Sequence, residues 1–270
     1  MTTEILVKEI RLNVLKMLNN LGFGHYGGSL SVVETLAVLY NEVMKFDPKD
    51  PNFQCRDYFV LSKGHAGPAL YSTLALMGFF DKKELYTLNK NGTNLPSHPD
   101  RLKTLGVDVT TGSLGQGISI ATGIAKALKI QKKDNKVFCI IGDGESQEGQ
   151  VWEAMSFIIH NNLDNLVIML DYNKKQLDGY LEDICKPLSF EEKARAFGFD
   201  SITVDGSNIY KIKEALIKKT DKPKFIVLDT KKGQGVEFIE NMYSNHHIRP
   251  DENTKLEIEK VINKLEKELM

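Results

Sequence analysis

Cysteine is scarce: Cys55, Cys139 and Cys185 are widely spaced, odd in number, and form no C-x-x-C. That argues against a disulfide framework or a cysteine-based zinc site and fits a reducing cytosol. No H-x-x-x-H or equivalent brings histidines to metal-ligand spacing either. No apolar run approaches the length that a bilayer requires. The first twenty residues carry Glu4, Lys8, Glu9, Arg11 and Lys16 among apolar positions, which makes an amphipathic helix rather than a secretory leader. Neither sign of charge dominates, since 35 Lys and Arg stand against 36 Asp and Glu without a long block of one sign. Nucleic acid and anionic membrane surfaces are therefore not expected as partners. Internal repeats, low-complexity tracts and the G-x-x-x-x-G-K-[ST] phosphate loop are also missing.

What is present is a 270-residue chain, 41% hydrophobic, enough to bury one large α/β core over residues 1–270. Its centre is 136–179, where an apolar run (Val137 to Ile141) leads into Gly142-Asp143-Gly144. A helical stretch and a second apolar run (Leu166 to Leu170) follow, then Asp171-Tyr172-Asn173. Short, β-branched, uncharged runs of this kind are strands buried on both faces. The two glycines allow a tight turn and close approach of a ligand to the backbone. Asp143 and Asn173 then fall at the carboxyl ends of neighbouring strands, the edge where open α/β sheets bind ligands. A carboxylate and an amide oxygen there suit a hard cation such as Mg²⁺ that keeps its other positions for water and phosphate oxygens.

Around this centre, Ile5 to Leu18 follow helical spacing, with Gly22 placed to end the helix. Ser31 is expected to cap the helix VVETLAVLYNEVM. Tyr58 to Leu61 reads as a strand, and Pro68 suits the first turn of ALYSTLALMGFF. The polar, breaker-rich stretch 82–105 contains Pro96-Ser97-His98-Pro99. Thr111 to Gly117 leads into ISIATGIAKALKI, whose amino terminus would favour an anion. Later strands are expected at Ile202 to Val204 and Phe225 to Leu228, the latter followed by Lys231-Lys232-Gly233-Gln234-Gly235. The closing amphipathic segment KLEIEKVINKLEKEL would dock on the domain or on a partner. Alternating strands and helices predict a mostly parallel sheet covered on both faces. Five of the six histidines (His25, His65, His98, His246, His247) lie in loops, while His160 lies in a helix. Loop histidines converging on one sheet edge would share protons and hydrogen-bond oxyanions.

The ordered motifs resemble the transketolase branch of the thiamine-diphosphate enzymes. They are Gly24-His25-Tyr26-Gly27, Ser62-Lys63-Gly64-His65, His98-Pro99, Thr110-Thr111-Gly112-Ser113-Leu114-Gly115-Gln116-Gly117, and Gly142-Asp143-Gly144 with Glu148-Gly149 and then Asn173. A late histidine before a proline matches His247, with His246 as the other registration. The resemblance implies a thiamine-diphosphate-binding fold, with Mg²⁺ (or Ca²⁺ or Mn²⁺) held by Asp143, Asn173 and the carbonyl of Lys175. It places Gly142, Gly144, His65 and His247 near the diphosphate, and Gly112 and Leu114 near the cofactor's rings. His25, His65, His98 and His247 would line the sugar channel as the catalytic histidines. Glu148, counted with the cofactor site, resembles a family glutamate at the subunit interface. Tyr26 and Ser113 stand where the family has proline and are expected to loosen their loops.

The family also uses a pyrimidine-binding domain and a carboxyl-terminal domain, for which this sequence has no counterpart. The resemblance therefore implies the amino-terminal subunit of a split transketolase. It would be inert alone and paired with a carboxyl-terminal subunit that carries the pyrimidine-binding domain, as a heterotetramer of two of each. The expected reaction passes a two-carbon ketol unit from a ketose phosphate to an aldose phosphate. The alternatives are a related enzyme acting on another sugar or an α-keto substrate, and a non-catalytic scaffolding subunit.

Overall fold

In the computed structural model, which describes residues 1–270, the chain opens with α1 (Thr3–Leu21), closed by Gly22 at φ 83°. Next come α2 (Tyr26–Leu30), α3 (Val33–Val38, running on into a wider turn over Leu39–Val43), β1 (Tyr58–Leu61) and α4 (Gly67–Leu76). Pro68 lies in the first turn of α4, as its fixed φ favours. The central elements are α5 (Gln116–Ile130), β2 (Val137–Gly142), α6 (Gly149–His160) and β3 (Leu166–Tyr172). The chain continues through α7 (Leu181–Ile184), α8 (Phe190–Phe197), β4 (Asp200–Asp205), α9 (Ile209–Ile217), β5 (Lys224–Asp229), α10 (Glu237–Asn241) and α11 (Glu252–Leu269).

All five strands run parallel, in the order β1-β2-β3-β5-β4. Side chains of successive residues divide between the two faces. Phe138, Ile140, Met169, Ile226 and Leu228 pack on the side of α1, α3, α4, α9 and α11. Val137, Cys139, Ile141, Ile168, Leu170 and Val227 pack on the side of α5, α6 and α8. Each such side chain contributes about 1.5–3 kcal/mol through burial, which is why these runs carry no charge. The register sets Gly142 opposite Asp171 and Tyr172 opposite Asp229, so β2, β3 and β5 end level.

Two expectations need correction. Ser31 caps no helix: the residue before α3 is Val32, and the Ser31 hydroxyl donates to Asp171 Oδ2 at 2.7 Å. A buried carboxylate is the stronger acceptor, and it draws the hydroxyl into the sheet edge. Tyr26 does not loosen its loop, because its ring is fully buried and its N–H donates to Gly24 O at 3.1 Å, a bond that proline could not make. The 82–105 stretch holds one short 3₁₀ turn, Lys82–Thr87, and is pinned by buried Leu85, Leu88 and Leu95. The terminal helix α11 docks on the domain itself, with Lys8–Glu268 at 2.8 Å and Lys16–Glu266 at 2.5 Å.

One buried ion pair joins α1 and α3 to the loop after β5. Arg11 Nη2 meets Glu34 Oε1 at 2.5 Å, both side chains 8% exposed, and Gln234 Nε2 donates to Glu34 Oε2 at 2.9 Å. Removing one partner strands a buried charge, whereas replacing both with apolar groups does not. Arg11→Met is therefore expected to cost about 3–5 kcal/mol, and Arg11→Met with Glu34→Leu to restore most of it. Urea unfolding of the two variants checks this, and equal losses in both would contradict it.

Candidate active site

Beyond the ends of β1, β2, β3 and β5 lies a cavity of about 430 Å³ whose hydrophobic lining is confined to Leu114 and Leu177. β2 delivers Asp143, which is 2% exposed. Its Oδ1 accepts from the N–H of Gly144 at 2.8 Å and its Oδ2 from that of Lys174 at 2.6 Å. Burial, then the nearby charge of Asp171, push its carboxyl up to about 7. β3 delivers Asn173, whose Nδ2 donates to Asp171 Oδ2 at 2.8 Å and whose Oδ1 accepts a long 3.3 Å bond from Lys175 N. The Lys175 carbonyl accepts from Lys232 Nζ at 2.8 Å, while the Lys175 ammonium turns away to Met242 O at 2.9 Å.

These groups fit a hard divalent cation. No cluster of three or more His, Cys, Asp or Glu forms a cage, so a cation here would rest on one carboxylate with amide and carbonyl oxygens. Mg²⁺ favours such a set, because it retains waters and phosphate oxygens in its remaining positions. Asp143 is desolvated and takes its hydrogen bonds from backbone N–H groups, so a cation would restore its charge balance.

The loop histidines do converge. Gly24 and Ile248 exchange backbone hydrogen bonds at 3.0 and 2.9 Å, which brings 246–248 beside His25. The His25 ring centroid lies 5.5 Å from His65, 6.4 Å from His98, 5.3 Å from His246 and 4.9 Å from His247. His25, His65, His98 and His246 line the cavity. The sequence favoured His247 for the diphosphate, with His246 as the other registration; the structure places His246 on the cavity lining and the His247 ring against His25 and Phe23. The physical reason is Asn245, whose Nδ2 donates to Lys232 O at 2.9 Å and Ile239 O at 2.8 Å and so carries His246 to Lys232. Lys232 Nζ lies 2.8 Å from His246 Nδ1; with the ammonium donating, the ring proton sits on Nε2. His160 stays on the exposed end of α6.

Burial is the leading cause that keeps these imidazoles neutral. It brings His25 down to about 4, aided by His247, and His246 to about 3, aided by Lys232. His65 falls well below its usual range and His98 below it, again foremost by burial. Lys232 is itself drawn down to about 8 by burial and by Lys63.

The glycine loops serve partly a different end from the one expected. A Cβ on Gly64 would lie 2.8 Å from Gly112 N, so these glycines let two loops pack backbone to backbone. Leu114 stands 39% exposed at the mouth. The anion at the amino terminus of α5 is supplied by the chain itself: buried Glu145 accepts from Gly115 N and Gly142 N, both at 2.9 Å, and from the Ser62 hydroxyl. Glu148 is exposed on the lining at the start of α6. Sequence reasoning passed over Lys63, Glu145 and Lys232. For the two lysines the usable signal was position, since each follows a strand at this edge.

Residues 2–261 match the family model for transketolase, thiamine diphosphate binding domain, which defines the class as a thiamine-diphosphate-binding α/β domain. The chain is 48% identical over 243 residues to the 6-deoxy-6-sulfo-D-fructose transketolase subunit SqwG of Clostridium sp. (strain MSTE9), covering 89% of this chain and 88% of that one. It is 35% identical over 274 residues to an apulose-4-phosphate transketolase subunit of Phocaeicola vulgatus, covering 99% and 97%. A solved transketolase variant from Pichia stipitis superposes with a TM-score of 0.86 at 26% identity, over 100% of this chain and 45% of that one. The chain belongs to the transketolase family, and it spans less than half the length of that solved transketolase.

A pH titration read by histidine-ring NMR tests the neutral cluster. His25 is expected to stay unprotonated to about pH 4, against 6.5 for a free ring. On acidification the unfolded chain takes up this proton first, so His25 contributes stability above pH 6.5 that is lost as pH falls to about 4. A His25 resonance titrating near 6.5 would contradict the assignment.

Proposed function

We propose that this chain is the diphosphate-binding subunit of a two-polypeptide transketolase. The observation that carries this is the meeting of Asp143, Asn173 and four imidazoles around one cavity. Two relatives named as transketolase subunits, spanned to 88% and 97% of their length, support the two-polypeptide reading. A partner with the pyrimidine-binding domain would complete the site, in an assembly of two copies of each.

Asp143 and Asn173 would hold Mg²⁺ through side-chain oxygens, with the Lys175 carbonyl as the third protein oxygen. Gly144, Lys232, His65 and His246 would face the diphosphate, and Gly112 and Leu114 the rings. When bound, the cofactor supplies the nucleophilic carbon and the electron sink for carbon–carbon cleavage. The chain's own work is binding and proton handling. A neutral imidazole has one N–H to donate and one nitrogen to accept, so His25, His98 and His246 can hold hydroxyl and carbonyl oxygens of a ketose. Lys232 fixes the His246 tautomer, leaving its Nε2–H to donate. Neutral rings also avoid burying more positive charge beside Lys63 and Lys232.

The donor would be a ketose phosphate giving a two-carbon unit to an aldose phosphate. A second reading, supported by the 48% identity to a subunit named for 6-deoxy-6-sulfo-D-fructose, replaces the distal phosphate of the donor with a sulfonate. Comparing both donors on the assembled enzyme separates them.

Two outcomes test the proposal. Asp143→Ala is expected to weaken Mg²⁺-dependent thiamine diphosphate binding by at least about 10-fold, read by isothermal titration calorimetry. Unchanged affinity would sink the cation assignment. Ketol transfer is expected only when this chain and its partner polypeptide are mixed; turnover by the chain alone would refute the subunit reading.

A further inference from the structure

Asp171 lies under the site without facing it. It is fully buried, and donors from four segments converge on its carboxylate. Oδ2 accepts from Lys63 Nζ at 2.5 Å, Ser31 Oγ at 2.7 Å and Asn173 Nδ2 at 2.8 Å, and Oδ1 accepts from Thr230 Oγ1 at 2.5 Å. Lys63 also donates to Gly28 O at 3.0 Å, so this buried pair is held from several sides. With Oδ2 taking three donors and the carboxylate sealed from solvent, Asp171 has no room to serve as a second cation ligand.

Its effect falls on Asn173. An amide has an oxygen end and an NH₂ end of nearly equal size, and rotation exchanges them at little steric cost. A carboxylate only accepts. It therefore selects the NH₂ end and turns the oxygen the other way. We propose that Asp171 is a positioning residue that fixes Asn173 with its Oδ1 toward the cavity and so makes it an oxygen donor to the cation. Lys63 balances the charge of Asp171, while Ser31 and Thr230 keep the carboxylate from rotating. This rests on the cation site proposed above.

A carboxylate is ordinarily a better ligand for a hard cation than an amide, which makes Asn173→Asp discriminating. Placed against Asp171, the new carboxylate meets a like charge where an N–H stood. The probe is Mn²⁺ with thiamine diphosphate on this chain assembled with its partner polypeptide, read by the EPR signal of free Mn²⁺, with thermal unfolding of the chain followed in parallel. Asn173→Asp is expected to weaken Mn²⁺ at least about tenfold. Thr230→Val, which keeps every charge, is expected to weaken Mn²⁺ about tenfold while still unfolding in one cooperative transition at a lowered midpoint, a readout that stands even if the carboxylate variants do not fold. Mn²⁺ bound as tightly by Asn173→Asp as by the unmodified chain overturns the positioning role, as does unaltered binding by Thr230→Val. Failure of the unmodified assembly to take up Mn²⁺ overturns the cation site itself, and is seen before any substitution is made.

Discussion

Five strands running in one direction impose the constraint on which the rest of the molecule depends. With both faces of the sheet buried against apolar helices, the strand interiors have no place for charge, and polar chemistry is driven to the ends. Parallel direction puts every carboxyl end on the same edge, and the register brings β2, β3 and β5 to a stop at one level. Four chain segments distant in sequence thus deliver Lys63, Asp143, Asn173 and Lys232 into a single cavity. Backbone hydrogen bonds set this geometry, which lets the loops above it be irregular.

Those loops are tied by two buried carboxylates. Glu145 gathers the loop after β1, the loop before α5 and the end of β2. Asp171 gathers the segments that carry Lys63, Ser31, Asn173 and Thr230. A carboxylate suits this work because each oxygen accepts more than one bond and the acceptor is charged, so each bond is stronger than a neutral one. The desolvation cost is met by saturating the acceptors, with a lysine in one case and three neutral donors in the other.

Strand positions were legible because burial on both faces writes itself as uncharged β-branched runs; β1 matches its expected span, Tyr58 to Leu61. Asp143 and Asn173 could be placed at the sheet edge from sequence because they lie two and three residues beyond such runs. The correction at Ser31 and the placement of His246 rather than His247 on the cavity have a different origin. Ser31 looks like a cap from its neighbours, and only the sheet edge supplies the stronger acceptor. His246 and His247 are adjacent and chemically identical, and what distinguishes them is Asn245 bonding to backbone far off in sequence, at Lys232 and Ile239. Glu145 escaped for a similar reason, since two of its three donors, Ser62 and Gly115, come from loops distant in sequence. Local pattern records what a residue's neighbours require, and these roles were assigned by residues far away along the chain.

The charge pattern that results has a direction. Lys63 is cancelled by Asp171 at the base of the site. Asp143 and Lys232 line the cavity as a carboxyl and an amine, and the Lys175 carbonyl accepts from Lys232. A ligand that carries only an anion would satisfy the lysine and repel the aspartate; a bare cation would do the reverse. On the proposed function, a diphosphate bound together with a divalent cation would meet both demands, the metal against Asp143 and Asn173 and the phosphate oxygens against Lys232. The imidazoles around it, held neutral by burial, add hydrogen-bonding capacity without tipping that balance. Under that proposal the site would complement an ion pair as a unit, and the neutrality of its histidines would be part of that complementarity.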